Sequence, residues 1–508
     1  MMRRTLLRGG LTIDNMNAAI KRAEYAVRGP IINTANELKA AGRKITYCNI
    51  GNPQQLGQPP LTFPREVLAL LSAPHLLSKP SNELTQLFSE ESVDRARSMN
   101  PLIEGSGAYT HSQGLEFVRH NVAAFIAARD NGASGSELGP AGDIFLTNGA
   151  SPAVQYALSM CVNGTSDGVM IPRPQYPLYS ATLTCLEGTA IPYLLDEERN
   201  WAMSAEMLAS AYDSAKAKGV TPRAVVIINP GNPTGQVLGV DTMQAVIQFC
   251  VDKDIILLAD EVYQANIYTP TKKFHSFREI LLSKCPEHAK KLQLISFHST
   301  SKGLLGECGR RGGYMELTNF SKDLLEQFVK CASIDLCPNL GGQFMTDLLV
   351  KGPPPASAAG KRHAAENEKI FSSLKRRATV LVDKLNKIPG LACNPVEGAM
   401  YAFPSLTLPG TFKDEAKKAV VGDKTGVPPD MLWCLGLLQR HGIAVVPGSG
   451  FGQKEGTWHF RTTILPPEEN FEWMTQAIAD HHAAISNPRW TWTAYLEEAK
   501  VVNAAKKS

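Results

Sequence analysis

Leu292-Gln-Leu-Ile-Ser-Phe-His-Ser-Thr-Ser-Lys-Gly303 joins a short apolar run to a group of hydroxyl side chains and a lysine. The apolar part, Leu292–Ser296, is typical of a strand in a sheet that is covered on both faces. Lys302 would then follow a strand end, where a partly buried, cationic site lowers the pKa of an amine. A lysine after a strand is most often only a solvated charge, so the rest of the chain decides its meaning.

Other apolar runs have the same character and alternate with helix-like stretches: Asp143–Thr147, Gly168–Ile171, Ala224–Ile228 and Ile255–Ala259. This alternation predicts an α/β fold with a mainly parallel sheet. Ligands of open α/β sheets bind at the carboxyl ends of the strands. We therefore expect the polar clusters that follow these runs to meet in one site.

Two of these clusters suit a protonated pyridine ring that carries a phenolic oxygen. Asp260 follows one run and can pair with the ring nitrogen, which keeps the ring an electron sink. Tyr263, three residues on, can reach the phenolic oxygen, and so can Asn232 in the turn Asn229-Pro-Gly-Asn-Pro-Thr-Gly235. Taken singly, each cluster also fits an ordinary helix cap or turn.

A third cluster suits a phosphate. The amides of Gly149, Ala150 and Ser151 would stand at a helix N-terminus, which favours an anion. Ser299 adds a hydroxyl donor, and one arginine of Arg310-Arg-Gly-Gly-Tyr314 could form a bidentate pair.

Tyr176 could stack on the ring face. Ring nitrogen, phenolic oxygen, phosphate and a lysine amine together describe pyridoxal 5'-phosphate (PLP).

These residue types, in this order and each after a strand, resemble the fold-type I PLP-dependent aminotransferases of class I/II. The resemblance runs from about Asn15 to the end of the chain. It implies a large domain with a mainly parallel, seven-stranded type of sheet flanked by helices, and a smaller α+β domain. The roles that it implies are a Schiff-base lysine (Lys302), a pyridine-nitrogen partner (Asp260), phenolic-oxygen partners (Tyr263, Asn232) and a stacking ring (Tyr176).

The resemblance also assigns residues that spacing alone does not. Arg461 matches the arginine that clamps the substrate α-carboxylate, and Gly51 matches a loop that faces the substrate. Tyr109 matches a tyrosine that reaches the phosphate of the neighbouring subunit, which implies a homodimer with shared active sites. The phosphate arginine usually falls eight residues after the lysine, at Arg310. The following Gly-Tyr pair selects Arg311, which we prefer, and the choice stays open.

Narrower stretches resemble the alanine aminotransferase branch of this family: Glu24–Ile31, Ser296–Gly303, Gly306–Gly309, Arg311–Tyr314, Lys351–Pro355, Cys393–Val396, Gly398–Tyr401 and Phe460–Pro467. They imply ping-pong exchange of an amino group between L-alanine and 2-oxoglutarate, giving pyruvate and L-glutamate. The residues that hold the distal carboxylate of 2-oxoglutarate are not located by spacing. The alternatives are a lyase such as an aminocyclopropanecarboxylate synthase, an aromatic aminotransferase, or an idle PLP-fold module.

Composition sets the remaining expectations. The formal charge is only +4 and diffuse, which excludes a nucleic-acid surface, and no apolar run approaches the length of a membrane span. The residues also form no regular metal-ligand pattern. Ten cysteines without regular spacing favour a reducing compartment. The first eight residues, MMRRTLLR, favour a short terminus and a cytoplasmic protein, with a mitochondrial transit peptide as the alternative.

Domain limits follow from the change of character after the proline cluster at 351–355. We expect an N-terminal arm that packs on the small domain (1–60), a large PLP-binding domain (61–355) and a small C-terminal domain (356–508). The hydrophobic periodicity of segment 78–107 is weak, which predicts a long surface excursion or a lid.

Overall fold

The computed structural model describes residues 10–25, 29–131, 141–422 and 424–505. The arginine-rich first eight residues lie outside the described residues, so the prediction about them is not addressed. No described helix combines the length and the apolar character that crossing a membrane requires.

Helices separate most of the strands and cover the sheet. In chain order the α-helices are α1 (Ala18–Arg22), α2 (Pro30–Ala40), α3 (Thr62–Ser72), α4 (Ser81–Leu84), α5 (Glu90–Met99), α6 (Glu116–Arg129), α7 (Ala150–Cys161), α8 (Leu178–Cys185), α9 (Ala205–Ala217), α10 (Val240–Lys253), α11 (Phe277–Lys284), α12 (Lys322–Ile334), α13 (Leu340–Val350), α14 (Ala358–Leu385), α15 (Gly410–Lys418), α16 (Pro429–His441), α17 (Phe471–Ile485) and α18 (Trp492–Ala505).

The strands are β1 (Thr46–Tyr47), β2 (Ile144–Thr147), β3 (Asp167–Arg173), β4 (Thr189–Leu194), β5 (Thr221–Ile228), β6 (Ile256–Asp260), β7 (Leu294–Ser299), β8 (Gly313–Thr318), β9 (Leu391–Ala392), β10 (Tyr401–Ala402), β11 (Ser405–Leu406), β12 (Val420–Val421), β13 (Lys424–Thr425), β14 (Ile443–Ala444), β15 (Val446–Pro447) and β16 (Phe460–Thr463).

The central sheet has seven strands in the order β2-β8-β7-β6-β5-β3-β4. Within this sheet β8 runs antiparallel to β2 and β7, and the other pairs are parallel. The predicted α/β fold with a mainly parallel sheet is therefore confirmed. All the predicted apolar runs fall in strands of this sheet, and the carboxyl ends of β5, β6 and β7 lie side by side.

The apolar runs are continuous because the sheet is buried on both faces. Val226 and Leu258 pack with α7 and α8 residues on one face, whereas Val225, Ile227 and Leu257 pack with α10 and α11 residues on the other. Neighbouring residues of a strand point to opposite faces, so both need apolar side chains. A rigid, doubly covered sheet of this kind fixes the polar residues at its edge.

The edge strand β4 is absent from the apolar runs that the sequence analysis identifies. β4 is an edge strand with alternating burial and carries Pro192. Proline is tolerated there because an edge strand has unpaired backbone groups on one side. The apolar pattern of β4 is weaker because only alternate residues of this strand are buried.

The expectation of a surface excursion or lid at 78–107 is wrong. The segment contains α5, which packs on α3 and buries Val93, Ala96 and Met99 in a hydrophobic core. The polar face of α5 is broad, which hides the narrow apolar stripe in the sequence.

That same core joins residues from both ends of the chain. It includes apolar side chains from Ile31 to Met99 and from Phe344 to Tyr495. β1 also pairs in parallel with β14, with Thr46 opposite Ile443. The division into domains at 60 and 355 stays a prediction.

Candidate active site

A cavity of about 630 Å³ opens at the carboxyl ends of the central strands. It contains residues from loops that lie far apart in the sequence. The structure brings nearly all of the predicted site residues to its wall: Gly51, Ala150, Ser151, Tyr176, Asn232, Asp260, Tyr263, Ser299, Lys302, Arg311 and Arg461.

Lys302 lies in the turn that follows β7, at the floor of this cavity. Its Nζ donates a hydrogen bond to the carbonyl oxygen of Gly51 at 2.5 Å and lies 6.0 Å from the centre of the Tyr263 ring. The amine is therefore held at the cavity wall by a backbone carbonyl rather than by a carboxylate. Gly51, which the resemblance assigns to a loop that faces the substrate, thus contacts the amine of Lys302.

Asp260 ends β6 and is only 6% exposed. Tyr179 donates a hydrogen bond to its Oδ2 at 2.8 Å, while its Oδ1 is buried without a partner. Burial raises the pKa of Asp260 to about 6, against the opposing effects of Tyr179, the Val262 amide and Lys302. A buried carboxylate oxygen without a partner is costly, so this atom suits a cationic group that binds in the cavity.

Tyr263 and Asn232 line the cavity beside Asp260, on the loops after β6 and β5. The hydroxyl of Tyr263 donates to the hydroxyl of Tyr401 at 3.4 Å. The Oδ1 of Asn232 accepts a hydrogen bond from Nη1 of Arg461 at 3.0 Å, which leaves its amide nitrogen for a ligand.

The N-terminus of α7 lies beside Arg311 and meets the cavity. Gly149 caps this helix at φ 86° and ψ 173°, a conformation that is essentially restricted to glycine. A Cβ at this position would lie 2.6 Å from Nη2 of Arg311, so the absence of a side chain lets the guanidinium approach the helix end. Amide donors and a guanidinium then face the same point.

The two adjacent arginines separate in space. Arg311 lines the cavity, where Nη1 approaches the Ser301 hydroxyl at 3.3 Å and Nη2 donates to the Asn148 carbonyl at 3.0 Å. Arg310 lies 3.9 Å from Glu307 and lines a different depression. This arrangement favours Arg311 over Arg310 as a phosphate ligand.

The hydroxyl of Ser299 lies within the same cluster. It lies 3.1 Å from Ser301 Oγ and 3.2 Å from the carbonyl oxygen of Gly312, either of which can accept its one hydrogen. Tyr176 lies across the cavity, with its hydroxyl 2.7 Å from that of Tyr25. Burial raises the pKa of Tyr176, which keeps the phenol neutral.

Arg461 lies on β16 and is 1% exposed. Besides Asn232, it donates through Nη2 to the carbonyl of Asn49 at 2.5 Å, while its Nε is buried without a partner. Its guanidinium carbon lies 4.2 Å from the centre of the Tyr401 ring and 4.8 Å from that of Phe451. A buried guanidinium with unused donors is well suited to an incoming carboxylate.

Gly149 does not line the cavity itself but caps α7, whose first residues do, whereas Tyr109 is the predicted site residue that lies apart from this cavity. Tyr109 is 76% exposed and lines a separate surface depression with Leu102 and His111. An exposed tyrosine of this kind cannot act on the cavity of the same chain without moving.

Sequence reasoning missed three residues of the site. Tyr401 lies in the quoted stretch Gly398–Tyr401 but was given no role, and Tyr179 and Asn49 were not considered. The signal for Tyr179 was its place one helical turn after Tyr176. Tyr401 and Asn49 reach Arg461 only through tertiary contacts, so no local signal marks them.

The residues present fit PLP. The unpartnered Oδ1 of Asp260 suits a protonated ring nitrogen, and the α7 terminus with Arg311 suits a phosphate. Among the residues that the structure describes, no group of three or more His, Cys, Asp or Glu side chains could hold a metal ion.

Comparison with known proteins supports this assignment. The sequence model of the family described as aminotransferase class I and II matches residues 81–478. A protein of Dictyostelium discoideum named probable mitochondrial alanine aminotransferase is 45% identical over 492 residues, which cover 94% of this chain and 90% of that protein. Human alanine aminotransferase 1 is 43% identical, with 93% of this chain and 95% of that protein covered.

Two further similarities are informative. Glutamate–glyoxylate aminotransferase 1 of Arabidopsis thaliana is 45% identical over 90% of this chain and 93% of that protein. The solved structure of an alanine aminotransferase from Pyrococcus furiosus superposes with a TM-score of 0.70 at 23% identity, covering 92% of this chain and 99% of that one. The structural match supports the fold, and the sequence matches support the chemistry.

Proposed function

The chain belongs to the class I and II aminotransferases, and on that basis we propose that it is an alanine aminotransferase. It transfers the amino group of L-alanine to 2-oxoglutarate and gives pyruvate and L-glutamate. The observation that carries this function is the meeting of Lys302, Asp260 and Arg461 in one cavity, since an amine, a ring-nitrogen partner and a carboxylate clamp are what the reaction needs.

PLP is the cofactor of this family, and when bound it supplies an electron sink for the pair released at the substrate Cα. Asp260 would hold the ring nitrogen protonated, and Tyr263 with Asn232 would hydrogen-bond the phenolic oxygen. The amides of Gly149, Ala150 and Ser151, the Ser299 hydroxyl and Arg311 would hold the phosphate, and Tyr176 would pack on the ring. These contacts would hold the cofactor in the cavity that Lys302 lines.

Arg461 would fix the α-carboxylate of alanine through its guanidinium, with Asn232 beside it. Lys302 Nζ would then take the proton from the alanine Cα as general base and return a proton as general acid. The carbonyl of Gly51 lies 2.5 Å from this amine and would orient it during both transfers. 2-Oxoglutarate uses the same groups in the reverse order, so ping-pong kinetics are expected.

A homodimer with shared active sites is part of this proposal. Tyr109 is exposed and does not line the cavity of its own chain, which is consistent with a tyrosine that contacts the phosphate of a neighbouring subunit. Sedimentation of the holoenzyme should give twice the monomer mass. A monomer with full activity would contradict the shared site.

The compartment follows from the relatives rather than from the fold. Similar proteins of Dictyostelium discoideum and Arabidopsis thaliana are named mitochondrial, which supports the mitochondrial matrix as the alternative to the cytoplasm, whereas human alanine aminotransferase 1 is named without a compartment. Fractionation of cells that express the full chain tests this choice.

The function is tested by mixing purified protein, PLP, L-alanine and 2-oxoglutarate and following pyruvate with a coupled dehydrogenase. Pyruvate and glutamate should form in equal amounts. Consumption of the amino acid without an acceptor would instead indicate a lyase. Replacing 2-oxoglutarate by glyoxylate, with glutamate as donor, tests the reaction named for the Arabidopsis thaliana relative. A higher kcat/KM for that pair would make this chain a glutamate–glyoxylate aminotransferase.

A further inference from the structure

Tyr401 lies between the guanidinium of Arg461 and the amine of Lys302. It lies on β10, directly opposite Thr463 of the antiparallel strand β16. Arg461 precedes Thr463 by two residues and so points to the same face of the sheet. Diagonal neighbours on one face are within reach of aromatic and long side chains, and this register brings the two side chains together.

The ring of Tyr401 packs on the guanidinium of Arg461. The guanidinium carbon lies 4.2 Å from the ring centre, closer than it lies to the ring of Phe451. Tyr401 is 3% exposed, so this cation–π contact is desolvated and correspondingly strong. The hydrogen bonds of Arg461 to Asn232 and Asn49 fix its two terminal nitrogens, and the ring fixes the plane of the group.

The hydroxyl of Tyr401 lies beside the amine of Lys302. A Cβ on Gly51 would stand 2.3 Å from Tyr401 Oη and 3.0 Å from Lys302 Nζ, so the hydroxyl and the amine flank the same backbone atom. Burial raises the pKa of Tyr401, but the positive charges of Lys302 and Arg461 outweigh it, and the net shift is downward. Both cations therefore act electrostatically on the Tyr401 hydroxyl.

We propose that Tyr401 is a positioning residue of the aminotransferase reaction, whose ring orients Arg461 for the substrate carboxylate and whose hydroxyl orients the amine of Lys302. The inference rests on the proposed function. It explains why Gly51 lacks a side chain, since any Cβ would displace the hydroxyl from the amine. One side chain would thus fix the distance between the carboxylate clamp and the proton-transferring group.

Two variants separate the two effects. Tyr401→Phe keeps the ring and removes the hydroxyl, whereas Tyr401→Leu removes both. We expect the dissociation constant of propionate, an alanine analogue without the amine, to rise about tenfold in Tyr401→Leu holoenzyme and to change less than about twofold in Tyr401→Phe. Calorimetry measures this constant without turnover.

The hydroxyl is tested by the pH profile of kcat. Tyr401→Phe removes the hydroxyl that lies beside the proton-transferring amine and keeps the ring, so it should move the acid limb by roughly one unit. The other titratable groups around this pair stay in place in that variant: Tyr176, Asp260, Tyr263, Cys308 and Arg461.

Tyr268→Phe is the matched control. Tyr268 is another buried tyrosine, which donates to the Ala399 carbonyl at 2.7 Å and does not line the cavity. Its loss should leave the propionate constant and the acid limb unchanged. An acid limb that stays in place in Tyr401→Phe, or a propionate constant that stays in place in Tyr401→Leu, would overturn the inference for Tyr401. If the wild-type protein binds propionate but makes no pyruvate, the proposed function fails instead.

Discussion

Replacement of Asp260 by asparagine should stabilise the PLP-free protein while removing its activity. Asn has the same shape and can still accept the hydrogen bond from Tyr179, so packing around the site is kept. What changes is the buried negative charge. Its removal matters because the pKa of Asp260 is raised by burial from 3.8 in a free aspartate to about 6.

The sign and size follow from linkage. A carboxyl group with a raised pKa in the folded state disfavours folding once it must ionise, so its penalty is small below pH 4 and grows as the pH rises through 6. With the two pKa values above, the penalty is about 2 kcal/mol at pH 5 and reaches about 3 kcal/mol at pH 8. Asp260→Asn removes this penalty.

Urea unfolding of the PLP-free proteins measures the difference. We expect the variant to be more stable than the wild type, and the gain to grow by about 1 kcal/mol between pH 5 and pH 8. Adding PLP should reverse the order, because ligand binding stabilises the wild type more. The kcat of the variant should fall by at least about a hundredfold, since a preorganised charge at the reacting ring is lost.

Asp167→Asn is a control of opposite sign. Partial burial raises the pKa of Asp167, but the Asn163 amide and Arg223 have the larger opposite effect, so the pKa is lowered overall. Its replacement should therefore destabilise the protein at neutral pH and less so in acid. The reasoning for Asp260 would be refuted if the PLP-free variant were less stable than the wild type, or if its gain were independent of pH.

Three further predictions concern the other contacts. Lys302→Ala should still bind PLP through its remaining contacts, but borohydride should no longer attach the cofactor to the protein, as mass spectrometry would show; a fixed adduct would contradict the assignment of this lysine. Gly149→Ala should weaken PLP binding about tenfold or more in a fluorescence titration, because its Cβ would lie 2.6 Å from Arg311 and the backbone conformation is strained; unchanged affinity would argue against a phosphate at this helix end. Arg461→Lys should raise the KM for L-alanine at least about tenfold with full PLP content, because a single ammonium cannot form the planar pair; equal rises in the dissociation constants of PLP and alanine would indicate general damage instead.

Much of the fold was readable from local patterns. The continuous apolar runs at 224–228 and 255–259 predict buried parallel strands, because each residue of such a strand faces an apolar layer. Asp260 and Lys302 were found because they follow such strands directly. β4 and α5 were misread or missed, since an edge strand and a helix with a narrow apolar stripe give weak patterns.

The sequence by itself therefore predicted the mainly parallel sheet and the polar residues that follow its strands. The tertiary structure decided which of these groups meet. Gly51 and Lys302 are 251 residues apart in the sequence, and Asn49 and Arg461 are 412 residues apart, yet each pair shares a hydrogen bond. Local propensity reflects only the interactions of a residue with its neighbours in the sequence. Backbone direction decides that Arg311 rather than Arg310 lines the cavity, and strand register places Tyr401 on Arg461. Both are set only when distant segments pack together.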